Sequence, residues 1–478
     1  MNPEFPKAGR PRISAIARTV GLWLLAGLAY SIWFGSAVRP YVVVLDIIGC
    51  VSAIVIAFWR WRETGWTFGS WIVVGVCVVG ALLMSQFIIP DRNGIWLDEG
   101  EYLRTLHHGF IVRDGVIPFN WRWLEPVLAG PLNVFPTSGA DALKTCNFAA
   151  LAVATVELVG VAHRLGVDRR LARLVPVFLL CSYLGTYAAT NRLVVDPFNY
   201  AAFVLILHAL AADRDQLLRS FLLVAAFNSE KVIYWIPVIV VSKWFRNKHP
   251  GAVQLQRALL RTLGICLPVL VYFAILLLAT SGASRDTSGT FVEQLHRLAI
   301  TWVSPKVEDP VAVATMPQML WFPFGAFTIY ALLGLRLVER WLAAMFLLLV
   351  PLMGQVLIAH DSERMVAYCF IVYIPLGCVY LTSVLSDLPK SLALATLVVI
   401  TVLPLAQVYL LPICRLLSDR GYHFVHIVLH VQRELKLWLE AAELLVVGGL
   451  LWIHLAVFAP RAASGGGKSA LPTSAPSS

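Results

Sequence analysis

Residues 217–244 read LLRSFLLVAAFNSEKVIYWIPVIVVSKW. Taken as one apolar helix, the stretch would cross a bilayer. Its middle, however, is Asn228, Ser229, Glu230 and Lys231. A charged side chain at the bilayer centre costs roughly 3 kcal/mol even on lenient insertion scales. Each apolar half has about 12 residues, too few for a hydrocarbon core that takes about 20 helical residues to cross. The stretch therefore predicts a hairpin of two half-length helices with a polar tip. The alternative is one continuous helix carrying a buried Glu230–Lys231 pair, which would invert the sidedness of every later loop.

The rest of the chain sets the context for that hairpin. Of 478 residues, 59% are hydrophobic and 14% charged, and the mean hydropathy is +0.75. Soluble domains carry about 25% charged residues, so this composition predicts an all-α, polytopic membrane protein. Apolar runs fall at 15–35, 41–59, 70–90, 144–163, 171–190, 194–212, the divided 217–242, 262–280, 318–335, 341–359, 365–385, 391–411 and 440–459. They predict 11–13 transmembrane helices. A single membrane domain covers 1–459, with a first large outer loop at 91–143 and a second at 281–317. Residues 412–438 read as an interfacial amphipathic helix. The Gly/Ser/Ala/Pro-rich tail 460–478 reads as disordered. The eight cysteines form no CxxC or Cys/His cluster and read as small buried hydrophobes.

Sidedness follows from the basic residues. With the N-terminus inside and the hairpin counted as a re-entrant pair, 22 of the 38 Lys and Arg fall inside. The short loops 164–173 and 243–261 carry most of the bias, as the positive-inside rule requires. The net charge of +10 is spread over these loops and forms no single patch, which argues against a nucleic-acid partner.

This topology gathers the out-of-place polar groups on the outer side. They are Asp98, Glu99 and Glu101 in "WLDEGEY", then Arg192 and Asp196 in "NRLVVDPFNY". Next come Asn228, Glu230 and Lys231, then His360, Asp361, Glu363 and Arg364 in "HDSERMVAYCF". Ionisable groups at membrane depth are expensive and mark functional sites. A carboxylate in an outer loop suits a general base acting on a hydroxyl. Arg and Lys at the membrane edge suit a phosphate or pyrophosphate. Apolar grooves between short helices suit a polyprenyl chain. The combination predicts glycosyl transfer from a polyprenyl-phosphate-linked sugar donor to a lipid, glycan or protein acceptor.

These motifs resemble those of the GT-C superfamily of integral-membrane glycosyltransferases, which includes lipid A aminoarabinose transferases and protein O-mannosyltransferases. The resemblance covers residues 15–385 in topology and rests on the short segments just quoted and on "FNSEKVIYWIPV". It implies a GT-C-like architecture with outer-face interfacial helices, in a bacterial inner membrane with the site facing the periplasm. It implies that Asp98, with Glu99 as partner or substitute, is the catalytic base. It assigns the donor phosphate to Arg192, Lys231 and Arg364 with His360, supported by Asp196, Asn228, Glu230 and Asp361. Some bacterial members have Asn-Arg-Glu before the half-helix break, where this chain has Asn228-Ser229-Glu230. A divalent metal is compatible with the carboxylates but is not demanded by them.

Each signal also has a plainer reading. Asp98-x-x-Glu101 is a capping-box pattern for a helix over 99–108, with Asp98 as N-cap and Gly109 as C-cap. Arg192 and Asp196 are spaced to pair with one another. Glu230 and Lys231 could be a mutual ion pair that holds the hairpin. Asp361 and Arg364 could be an ordinary loop pair. Trp121 and Trp123 read as interfacial aromatics or as a platform for a sugar ring. The main rival function is a secondary transporter or flippase of a lipid-linked or anionic substrate, which uses half-helix breaks in the same way. An O-antigen ligase or polymerase would rely more on arginines than on the first-loop acids.

Overall fold

A computed structural model describes residues 97–108, 122–131, 139–180, 182, 184, 196–247, 249–280, 323–325, 327–354, 366–385, 388–409 and, in part, 441–452. Every regular element among them is helical. The runs 15–35, 41–59 and 70–90, the loop 281–317 and the segments 412–438 and 460–478 lie outside the described residues.

The first described helix, α1 (Leu97–His108), begins one residue before Asp98. Asp98 is therefore inside the first turn and is not its N-cap, because an N-cap residue has non-helical backbone angles. Short α2 (Leu124–Ala129) follows, then the long α3 (Gly139–Arg164). The run 171–190 does not begin as one helix. It opens as α4 (Arg169–Ala172) and α5 (Val175–Leu180) with a turn at Arg173–Leu174. Asp168 starts α4 by accepting a hydrogen bond from the Arg170 amide at 2.8 Å. Pro176 has no amide proton to continue that helix and instead fits the first turn of the next.

The divided run is a hairpin. Helix α6 (Asp196–Ala211) delivers the chain to a tight turn in which Asp213 has φ 50°, a left-handed conformation that Asp tolerates better than most residues. Helix α7 (Asp215–Ala226) runs back. A 3₁₀ turn at Glu230–Tyr234 then leads into α8 (Trp235–Phe245). The root of the hairpin is closed by Lys243, whose ammonium donates to Asp213 at 3.1 Å and to Asp215 at 2.6 Å. Arg261 also bonds Asp215. The 12 residues of α7 cover about 18 Å at a rise of 1.5 Å per residue, short of a ~30 Å hydrocarbon core. The continuous-helix alternative is excluded.

The remaining helices wrap this centre. They are α9 (Ala252–Thr280), α10 (Phe327–Gly334), α11 (Arg340–Gly354), α12 (Phe370–Leu385) and α13 (Lys390–Tyr409). Helix α3 packs on α6, α8 on α11, α10 on α12, and α9 on both arms of the hairpin. One buried apolar cluster joins α3 to α12. Within it Trp235 is fully enclosed, edge-on to Phe203 at 5.6 Å. The described Cys266, Cys369 and Cys378 belong to the same cluster. A smaller cluster of Tyr102, Leu106, Ala129, Ala142 and Leu143 ties α1 and α2 to the start of α3.

Helices α3 and α9 are long and apolar enough to cross a membrane. They differ in surroundings. Most of α3 is enclosed by other helices, whereas α9 leaves Leu260, Leu263, Leu267, Val271, Ile275 and Leu278 exposed along its length. A contiguous apolar face of that kind needs an apolar neighbour.

Candidate functional site

The site forms at the hairpin tip. Once α7 ends, the tip has backbone groups and polar side chains that no helix satisfies, and neighbouring segments satisfy them instead. Asn228 is fully buried. Its side-chain amide donates to Asn199 Oδ1 at 2.9 Å, and its own Oδ1 accepts from the Glu125 amide at 3.1 Å. One asparagine therefore joins the tip to α6 and to α2. The Leu124 amide adds a bond to the Phe227 carbonyl at 3.2 Å. Trp123 packs on Phe227 with ring centroids 5.2 Å apart, and its indole N–H donates to the Tyr272 hydroxyl at 2.9 Å. Trp123 is thus held by α9 and the tip.

Two ion pairs sit on this frame. Arg122 forks onto Glu230, with Nε 2.9 Å from Oε2 and Nη2 2.5 Å from Oε1. Its third donor, Nη1, reaches the Tyr102 hydroxyl on α1 at 2.9 Å. Such bidentate pairing fixes geometry as well as charge. Lys231 turns the other way. Its Nζ lies 3.2 Å from Asp196 Oδ1 and 3.0 Å from the Tyr368 hydroxyl, and 4.4 Å from the Tyr368 ring centroid. Tyr368 donates its own proton to Asp196 and accepts from Asn199 Nδ2 at 3.2 Å. Lys231, Asp196 and Asn199 are buried.

Glu125 is different. It is 0% exposed, and among the described residues neither carboxyl oxygen has a hydrogen-bond partner. Burial, and secondarily the charge of nearby Asp196, push its carboxyl well above the usual glutamate range. Glu230 goes the opposite way: burial raises it, but the Arg122 guanidinium outweighs burial and holds it below that range. Two glutamates of one site are thereby driven apart by environment alone.

Four residues read from sequence, Asp196, Asn228, Glu230 and Lys231, are brought together here. The mutual Glu230–Lys231 pair is not the arrangement found, because adjacent residues on a 3₁₀ turn project in different directions and each finds a partner on another segment. Asp196 pairs with Lys231, and Arg192 lies outside the described residues, as do His360, Asp361 and Arg364. The backbone of Asp98 and Glu99 is helical in α1, the helix whose Tyr102 contacts Arg122. Sequence reading missed Tyr102, Arg122, Glu125, Asn199 and Tyr368. The segment "NWRWLEP" (120–126) did carry a signal, an Arg and a Glu three apart in the first outer loop. Tyr368 gave none, being one aromatic at the start of an apolar run.

A second group of charges occupies the hairpin root. Asp213 Oδ1 lies 3.1 Å from Lys243 Nζ and 3.4 Å from both Arg246 Nη1 and Arg261 Nη2. The Arg246 guanidinium stacks over Trp341 at 4.4 Å. Among the described residues, no three His, Cys, Asp or Glu side chains converge as a metal-ligand group. Comparison with family models, curated proteins and solved structures returns no match.

Proposed function

We propose that this chain is an integral-membrane glycosyltransferase of GT-C type. It would move a sugar from a polyprenyl-phosphate-linked donor to a lipid, glycan or protein acceptor at the outer face of a bacterial inner membrane. The observation that carries the reading is the junction of first loop, α6 start and hairpin tip by one partly buried and one buried ion pair, with Tyr368, ahead of α12, bonded to Lys231 of the second. The exposed apolar face of α9 supports a lipid environment beside that junction.

In this reading the donor phosphate approaches Lys231, with Arg192, Arg364 and His360 contributed by the adjoining segments. Cations there stabilise charge developing on the leaving phosphate as its bond to the sugar breaks. Asp98, with Glu99 beside it on α1, takes the acceptor hydroxyl proton. Tyr102 and Arg122 link α1 to the hairpin tip, so the base and the phosphate-binding cations share one support. Asp196 and Tyr368 hold Lys231 in place, and Asn228 bonds Asn199, which in turn donates to Tyr368.

A secondary transporter or flippase is the second reading. It draws support from the charge balance: Arg122 and Lys231 are each already matched by a carboxylate, as in ion-coupled sites at broken helices. Incubating the purified protein with radiolabelled sugar on defined polyprenyl phosphates separates the two. The transferase reading expects labelled product from the native chain and none from Asp98→Asn/Glu99→Gln. Transfer retained in that double variant removes Asp98 and Glu99 as the base. Substrate passage into vesicles with no product of transfer favours the transporter.

A further inference from the structure

We infer that Glu125 is a proton-storing residue of this site, holding one acid proton within it at neutral pH. The geometry comes first. Glu125 lies wholly inside the protein, one residue into α2, and among the described residues neither of its oxygens meets a hydrogen-bond partner. An ionised carboxylate in that position would carry a full charge with neither a counter-ion nor a donor, which is among the most costly states a protein interior can hold. A neutral carboxyl leaves only a hydroxyl and a carbonyl unsatisfied, a much smaller cost.

The surrounding charges favour the same state. Helix α6 contributes Asp196 and α3 contributes Cys146, the two titratable groups coupled to Glu125. From α1 comes Tyr102, which is bonded to Arg122. The hairpin tip presents Glu230 and Lys231, and the segment just before α12 presents Tyr368, bonded to Asp196. Among these described residues, the Arg122 guanidinium is taken by Glu230 and the Lys231 ammonium by Asp196. These two cations and two anions of the described residues balance one another. Ionised Glu125 would add a further anion beside Asp196, whereas protonated Glu125 adds none.

This deepens the proposed function and rests on reading these residues as a substrate site, since a stored proton matters most where a phosphate must be accommodated. With the proton in place, an anionic group arriving at Lys231 meets one carboxylate there and not two. The proton is released when the charge next to Asp196 changes, so the two carboxyls are coupled.

The test needs no substrate. Infrared spectroscopy of the purified full-length protein in lipid nanodiscs reads the carbonyl stretch of a protonated carboxyl directly. The inference expects such a band at neutral pH in the native protein and its absence in Glu125→Gln, with the Glu125→Asp band retained but shifted. It also expects the band to titrate away at alkaline pH, and to do so at lower pH in Asp196→Asn, which removes the neighbouring anion and frees Lys231. A neutral-pH band unchanged by Glu125→Gln overturns the inference, and so does an identical titration in Asp196→Asn. Should Glu125→Gln fail to fold, the native titration and Glu125→Asp decide the matter. Absence of glycosyl transfer would sink the transferase reading while leaving these spectra untouched.

Discussion

At the residue scale, one site sets two glutamates to opposite protonation behaviour. Glu230 gains from its ion pair, so its contribution to stability is present above the ordinary glutamate pKa of 4.5 and is lost as pH falls through its lower folded value. For Glu125 the sign reverses. Its folded pKa is raised, so its contribution is complete below 4.5 and is lost as pH rises toward the folded value. Thermal unfolding across pH should therefore show a loss at acid pH that Glu230→Gln flattens, and a decline toward neutral pH that Glu125→Gln flattens. Arg122→Met leaves Glu230 half-buried without its guanidinium and should cost about 3 kcal/mol. The double variant Arg122→Met/Glu230→Leu should lose less than the two single variants summed. Simple additivity in denaturant unfolding would show that the pair is not coupled.

At the scale of elements, the hairpin and the α10–α12 crossing depend on different physics. The hairpin tip is held by polar bonds to three other segments, because a broken helix leaves amides and carbonyls that lipid cannot satisfy. The crossing depends on shape. A Cβ at Gly334 would lie 2.2 Å from the Leu376 carbonyl oxygen, and one at Gly377 would lie 2.5 Å from the Phe327 ring. Backbone cannot yield as a ring can. Gly334→Ala should therefore destabilise more than Gly377→Ala, with overpacking costs of about 1–3 kcal/mol. Equal melting temperatures for the two variants would contradict this ordering.

At the scale of the whole molecule, the polar tip and the charged root of the hairpin lie at opposite ends of α7. Arg214 and Asn247 flank the root and are both exposed. In a background free of native cysteines, an impermeant thiol reagent should label Arg214→Cys and Asn247→Cys from the same side of sealed vesicles, because a re-entrant pair of half-length helices returns to the face it left. Labelling of the two from opposite sides would contradict the re-entrant reading. Such an arrangement explains why both ends are charged while the helices between them are not. Each end carries its own ion pairs, and the α9 face beside them stays apolar.

Residues 217–244 on their own made a doubling back the expected course, since two 12-residue apolar halves cannot each cross a bilayer and central charges are costly inside one. The tertiary structure then excluded the continuous helix with a buried Glu230–Lys231 pair. Hydrophobic run lengths likewise placed α6, α11, α12 and α13 within a few residues, because helix burial in an apolar setting is read from composition more than from capping. The α4–α5 break was less legible, since Pro176 sits in a run that is otherwise continuously apolar. Pairing was decided only by the tertiary structure. Glu230 and Lys231 are neighbours in sequence, yet one meets Arg122, 108 positions away, and the other meets Asp196 and Tyr368. A side chain's partner depends on the direction in which its turn projects it and on which helix ends arrive there. Neither is written in local spacing. Glu125 shows the same limit: its identity is in the sequence, but its isolation arises because packing brings Asp196 close and, among the described residues, gives its carboxyl no donor.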